Sequence, residues 1–227
     1  MRAMKMGLTD IENALRALAN PQQAVPMKAY MLGQFEFLGI RAGPRRDALK
    51  QLSSFDGTAD DLLDGVEALW RLPEREFQYA AIDLLARHHK RLTVADLPSI
   101  LMRVQERSWW DTVDGLAGVV GDIVLRAKAT QPDVQRHMDD CLTHACLWVR
   151  RVAMLHQLGW REQTDQVRLF GYALALAPEK DFFIRKAIGW ALRDHARHQP
   201  DAVRQFLTQH ADRLSGLTRR EAGKHLG

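Results

Sequence analysis

Cysteine is nearly missing from this 227-residue chain, with Cys141 and Cys146 the only two. That fits a reducing, cytoplasmic location. No apolar run approaches the roughly 18–20 residues of a membrane span. The basic stretch at residues 1–7 lacks the apolar core of a signal peptide. Gly-rich phosphate loops do not occur, nor do the Ser/His/Asp or Cys/His patterns of nucleophilic hydrolases. Strand signals are scarce too, without alternating β-branched runs and with three tyrosines. No linker or low-complexity tract interrupts the chain, so a single domain over residues 1–227 is expected. A metal is not expected. His137, Cys141, His144 and Cys146 cluster in sequence, but cysteines five apart on a helix diverge and match no recognised zinc spacing. His195 and His198, beside Asp194, read as an exposed basic helix end. No cofactor is called for, and nothing points to an obligate dimer, so a monomer is expected.

What is present is the composition of a soluble globular protein, 46% apolar and 26% charged. The length allows one sizeable core. The net charge is +4 and the pI about 9.3. All of the excess lies in residues 181–227, with nine Lys or Arg against five Asp or Glu, while the rest balances at 23 against 23. Four of the nine histidines also lie there. A basic bias at one end suits a nucleic-acid partner.

Apolar spacings of three and four predict helices over residues 10–18, 26–37, 60–72, 74–89, 94–106, 110–127, 133–146, 148–158, 165–176, 182–195, 201–210 and 219–225. Gly43-Pro44, Pro73, Pro98, Pro132, Pro178 and Pro200 read as turns between them. Five stretches align: Pro44-Arg45-Arg46-Asp47-Ala48, Phe77-Gln78-Tyr79-Ala80-Ala81, Val113-Asp114-Gly115-Leu116-Ala117, Val149-Arg150-Arg151-Val152-Ala153 and Ile184-Arg185-Lys186-Ala187-Ile188. Their closing positions are 33, 36, 36 and 35 residues apart, the mark of a helical repeat array. The expected fold is all-α, a superhelical stack of helix pairs (an α-solenoid) with a concave basic groove. The repeat columns would sit near the N-terminal turns of the groove-facing helices, where amides and basic side chains point together.

The second and third columns are rich in cations: Arg45, Arg46, Arg150, Arg151, Arg185 and Lys186. Asp114 is the only anion among them, and Trp109 and Trp110 precede it. A basic stripe that holds phosphates is weakened by a carboxylate unless the carboxylate has a task. Trp110 and Asp114, four apart, share a helix face. An indole beside a carboxylate offers an apolar wall and a negative charge that can stabilise a developing cation or activate water. The plainer alternative is a core aromatic with a capping Asp, for which Asp111 is better placed. Arg forks suit phosphates, although a charge run is more often a solvated face. Trp190 lies four residues after Lys186, and Gly189 inside that helix costs roughly 1 kcal/mol relative to Ala, which close packing or close ligand approach would explain. Trp70 and Trp148 read as core anchors.

Taken together the chain resembles the DNA alkylation repair enzymes, the AlkD-like DNA glycosylases built of HEAT-like repeats. The matching stretches are Ala29-Tyr30-Met31-Leu32-Gly33-Gln34-Phe35-Glu36-Phe37-Leu38-Gly39-Ile40, Arg45-Arg46, Glu74-Arg75-Glu76-Phe77-Gln78-Tyr79-Ala80, Ser108-Trp109-Trp110-Asp111-Thr112-Val113-Asp114, residues 148–158, residues 182–193 and Leu214-Ser215-Gly216-Leu217-Thr218-Arg219-Arg220-Glu221-Ala222. The resemblance implies an enzyme that excises N3- and N7-alkylated purines from duplex DNA, gripping the backbone and leaving the base largely unenclosed. It implies Asp114 as the catalytic carboxylate, with Trp110 and Trp190 as the tryptophans of the groove. Arg151, Arg193 and Tyr30 become DNA contacts, and Arg45, Arg46, Trp109, Arg150, Arg185 and Lys186 join them. Where the family often has Lys after the Tyr-Met pair, this chain has Leu32-Gly33, which removes one groove-edge cation. No Lys neighbours Asp114 in sequence, so the expectation is a monofunctional hydrolase without strand cleavage. A non-catalytic helical-repeat scaffold for DNA or protein is the rival reading, because such arrays commonly serve as binding surfaces.

Overall fold

The computed structural model describes residues 7–52 and 55–226, so residues 1–6 of the basic N-terminal stretch lie outside it. Among the described residues there are thirteen α-helices and no strand, with one isolated bridge between Glu36 and Glu74. None of the helices described is long and apolar enough to cross a membrane. The chain packs as two compact units, one ending at Leu92 and the other beginning at Thr93.

The first unit holds α1 (Leu8–Ala17), α2 (Pro21–Tyr30), α3 (Ala42–Leu52), α4 (Ala59–Arg71) and α5 (Arg75–His88). Its core gathers Ile11, Leu15, Leu62, Leu69, Trp70, Phe77, Leu84 and Leu85. Glu76 is fully buried and accepts the amides of Leu38, Gly39 and Ile40 at 2.9, 2.8 and 2.9 Å. One carboxylate thus satisfies three loop donors that would otherwise be orphaned inside the protein. Thr58 and Asp61 form a reciprocal capping box that starts α4.

The second unit holds α6 (Leu97–Gln105), α7 (Trp110–Ala127), α8 (Arg136–Cys141), α9 (Leu147–Leu155), α10 (Gln166–Leu176), α11 (Phe182–Ala196), α12 (Pro200–Gln209) and α13 (Gly216–Ala222). Helices α7, α9, α11 and α13 pack side by side in chain order, with α6, α8, α10 and α12 against them. This is the layering of a helix-pair repeat. Two glycines set the spacing of the first layer. A Cβ on Gly121 of α7 would come 2.0 Å from the His156 carbonyl oxygen beyond α9, and one on Gly189 of α11 would come 2.5 Å from Glu221 Cβ on α13. Close helix approach is therefore the reason for Gly189. Side-chain caps start the later helices: Asp165 for α10, Asp181 for α11 and Ser215 for α13.

The five aligned stretches all fall on odd-numbered helices, as the spacing predicts. Arg45, Gln78, Arg150 and Arg185 are each the fourth residue of their helix, and Asp114 is the fifth. A sixth copy follows at Thr218-Arg219-Arg220-Glu221-Ala222 on α13, closing 34 residues after Ile188, with Arg219 again fourth.

Several boundaries differ from expectation. The helix expected over 26–37 is α2, which starts earlier because the Asn20 side chain accepts the amides of Gln22 and Gln23 and Pro21 opens the first turn. It stops at Met31. The Gly33 amide donates to Lys28 O at 2.9 Å and the Leu32 amide to Ala29 O at 3.0 Å, a Schellman closure with Leu32 at φ 56°. Gly43-Pro44, expected as a turn, instead lies in the first turn of α3, where a proline removes no helical hydrogen bond. The segment 133–146 contains only the short α8, and the last helix begins at Gly216 behind the Ser215 cap.

Candidate functional site

Asp114 sits in the second turn of α7, one turn after Trp110, the first residue of that helix. Opposite it, in the second turn of α9, stands Arg151, whose side chain is 1% exposed. The two form a bidentate pair: Arg151 Nε donates to Asp114 Oδ1 at 2.7 Å and Nη2 to Oδ2 at 2.8 Å. The remaining nitrogen, Nη1, donates to the Phe183 carbonyl. A buried guanidinium needs such partners on every edge. Asp114 keeps 23% side-chain exposure, so the carboxylate retains an accessible side. Burial pushes its carboxyl above the ordinary range, while the hydrogen bonds and charge of Arg151 pull it down without cancelling the rise.

Trp190, on α11, presents its ring to three cations: Lys186 at 5.3 Å, Arg151 at 5.4 Å and Arg193 at 6.0 Å from the ring. Its indole Nε1 donates to Glu221 Oε2 on α13 at 3.2 Å. Glu221 also takes Arg193 at 2.9 Å and Lys224 at 3.0 Å, and lies 3.7 Å from Lys186. Burial pushes the Glu221 carboxyl up, but Lys224, Lys186 and Trp190 outweigh it and hold the group below the usual range. Residues 114, 151, 190 and 221, from four successive odd helices, therefore form one connected chain of contacts.

Beside this chain lies an aromatic cluster. Trp109 packs on Phe183 at 5.0 Å and Trp148 at 5.8 Å, and Trp148 packs on Phe183 at 5.0 Å. Trp109, the N-cap of α7, thus braces the helix that carries Asp114. Trp148 joins the same cluster and is only partly buried, whereas Trp70 is a core residue at 1% exposure.

The remaining column cations bond within the protein. Arg150 makes a bidentate pair with Glu179 at 2.7 and 2.9 Å and donates to the carbonyls of His144 and Ala145. Arg185 donates to Glu179 O at 3.0 Å. In the first unit, buried Arg45 pairs with Asp83 at 2.9 Å and lies over Tyr79, and the more exposed Arg46 meets Asp83 at 3.4 Å. Tyr30, the last residue of α2, is 71% exposed.

Among the described residues, no three His, Cys, Asp or Glu side chains gather as a metal site requires. Cys141 is buried and its thiol is pushed up to about 11, first by burial. Sequence reasoning singled out every member of the contact chain except Glu221. Its signal is present in the repeat: Glu221 falls in the fourth column, where Ala80, Leu116, Val152 and Ala187 are all fully buried and Asp47 of the first copy is exposed.

The family model for DNA alkylation repair enzymes matches residues 11–226. A solved structure described as a predicted DNA alkylation repair enzyme from Enterococcus faecalis is similar at 32% identity and a TM-score of 0.84, over 92% of this chain and 97% of that one. The smu.31 protein of Streptococcus mutans UA159 is similar in fold, at 19% identity and a TM-score of 0.61, over 80% of this chain and 90% of that one. No curated protein matches. The extent of the family match, with the all-helical repeat that underlies it, means that the chain belongs to the DNA alkylation repair enzyme family.

Proposed function

We propose that this protein is a monofunctional DNA glycosylase that hydrolyses the N-glycosidic bond of cationic N3- and N7-alkylated purines in duplex DNA. The observation that carries this reading is the Asp114 carboxylate, fixed by a buried Arg151, still open on one side, and near an indole ringed by cations. An alkylpurine cation is already a good leaving group. As the C1′–N bond breaks, its electron pair goes to the base and neutralises it, and positive charge develops on the sugar. Asp114 stabilises that charge and receives a proton from the water whose oxygen attacks C1′, as carboxylates do in sugar hydrolysis. The products are the free base and an abasic site. A carboxyl raised above its ordinary range is a stronger base for this step.

Trp110 and Trp190 supply ring faces for the charged sugar, and Trp109 holds α7 in place. The phosphates would be met by Lys186, Arg193, Arg185, Arg150, Arg45, Arg46 and Tyr30, with Arg151 acting mainly through Asp114. Most base-excising enzymes flip the base into a pocket; here the reading is that the backbone is gripped and the base left largely unenclosed. Lys186 is engaged by Glu221 and two aromatic rings rather than by Asp114, which favours hydrolysis over strand cleavage. A cytoplasmic site of action, on the nucleoid in a bacterial cell, and a monomeric state complete the reading.

The test is release of free alkylated base from methylated duplex DNA, wild type against Asp114→Asn. Release by wild type, with loss in the variant and retained DNA binding, supports the glycosylase. Folded wild-type protein that binds DNA and releases no base favours the non-catalytic scaffold.

A further inference from the structure

On α13 a carboxylate is buried at a place that apolar side chains fill on the four preceding odd-numbered helices, while on α3 the same column holds the exposed Asp47. The fourth-column residues of α5, α7, α9 and α11 are Ala80, Leu116, Val152 and Ala187, each at 0% exposure. On α13 that position is Glu221, at 7%. Burying a charge there is costly unless it is paired and hydrogen-bonded, and the surroundings are arranged to do both. Oε2 accepts from Trp190 Nε1 at 3.2 Å, Arg193 at 2.9 Å and Lys224 at 3.0 Å, while Oε1 takes Lys224 at 3.0 Å and faces Lys186 at 3.7 Å. The main chain is adapted as well. Gly189 interrupts α11 where a Cβ would strike Glu221 Cβ at 2.5 Å and Thr218 O at 3.0 Å. Glycine in mid-helix is unfavourable by about 1 kcal/mol relative to alanine, so the close approach of Glu221 to α11 has been retained against a local cost.

An indole ring packed by its faces alone can turn over about its second side-chain torsion, because the apolar contacts are similar either way. A hydrogen bond to Nε1 removes that degeneracy and sets which edge points at the carboxylate. We propose that Glu221 is a positioning residue of the site: it fixes the orientation of the Trp190 indole and gathers Lys186 and Arg193 at its ring, so that a cationic sugar meets a preset aromatic face. The inference rests on the reading of Trp190 as a residue that faces the substrate.

Two variants test it, Glu221→Ala and Glu221→Gln, each followed by the Trp190 indole N–H resonance and by steady-state base release from methylated duplex. The alanine variant should shift and broaden the indole resonance and lower kcat tenfold or more. Its affinity for undamaged duplex should hold or tighten, because an anion has been removed from among cations. The glutamine variant keeps an acceptor for the indole and should restore the resonance and most of kcat. An unmoved indole resonance in the alanine variant would overturn the inference. So would a folded glutamine variant that fails to rescue what alanine loses, since that would mark the charge, and not the acceptor for the indole, as what the site needs. Should the alanine variant not fold, the glutamine variant decides by the same resonance, which must stay near the wild-type position. Absence of base release by wild-type protein overturns the glycosylase reading instead, and the resonance still reports on Glu221.

Discussion

Asp114 and Arg151 hold each other in a balance that pH can read. Because burial outweighs Arg151, the Asp114 carboxyl is raised in the folded state. The native protein then binds more protons than the unfolded chain, and stability declines as pH rises from about 3.9 through the raised value. Asp114→Asn removes this titration but takes one of two acceptors from the buried Arg151, so its Tm at about pH 7 should fall below that of wild type, the gap narrowing toward about pH 4 where the wild-type carboxylate is itself protonated. A Tm equal to or above wild type near neutrality would show that burial of the carboxylate costs more than its pairing with Arg151 returns. Under the proposed chemistry the same variant loses about 10²–10⁴-fold in base release. Arg151→Gln removes the group that pulls the carboxyl down, so the acidic limb of the pH–rate profile should move to higher pH; an unmoved limb would detach Arg151 from Asp114 in catalysis. In the sequence, Asp114 stood out as an anion among cations. The destination of Arg151 did not, because the pair joins positions 37 residues apart and an exposed phosphate ligand and a buried partner look alike in a string of letters.

At the scale of elements, the helices that were legible have both a periodic apolar face and a simple start. Helix α7 was expected at its observed bounds because its nine buried residues keep one face throughout. Helix α2 buries no residue, so the apolar spacing read over residues 26–37 misplaced it, and the Asn20 cap decided its start. The proline in α3 was misread because position within the first turn, rather than its presence, determines whether it breaks a helix. The sixth repeat, with a charged residue in its second, third and fourth columns, was overlooked, although the first stretch carries Asp47 in the same fourth column. Packing between elements yields a graded prediction. Gly121→Ala places a methyl against backbone at 2.0 Å, where nothing flexible can yield, whereas Gly189→Ala meets mainly the Glu221 side chain. Gly121→Ala should lose several kcal/mol, on the order of 3 or more, or fail to fold. Gly189→Ala should lose less stability and disturb Trp190 more; chemical denaturation of both variants settles the order.

For the whole molecule, acid and salt are the informative variables. His156 is buried and held neutral, its value lowered to about 4, first by burial. Its Nδ1 donates to Ala153 O at 2.7 Å, which leaves Nε2 to accept from Gln135 Nε2 at 3.4 Å. The unfolded chain takes up this proton near pH 6.5, the native one only near 4, so about 3 kcal/mol should drain away as pH falls between those values. A flat Tm across that interval would refute it. Salt addresses the partner. Arg219 and Arg220 are exposed at the matched register of α13, and replacing both by alanine should reduce the log–log salt slope of DNA binding by about 2. An unaltered slope would place the phosphate contacts elsewhere.

The ties that build the contact chain each reach about one repeat along the polypeptide: 37 residues from Asp114 to Arg151, 31 from Trp190 to Glu221 and 28 from Arg193 to Glu221. Cooperativity in such an array is shared between neighbours rather than distributed globally. The last helix can therefore open without melting the ones before it. In native-state hydrogen exchange, the α13 amides should trade protons well before those of α7 and α9. Each such opening would briefly release the Trp190 indole while the Asp114–Arg151 pair stayed closed, giving the two halves of the site separate lifetimes.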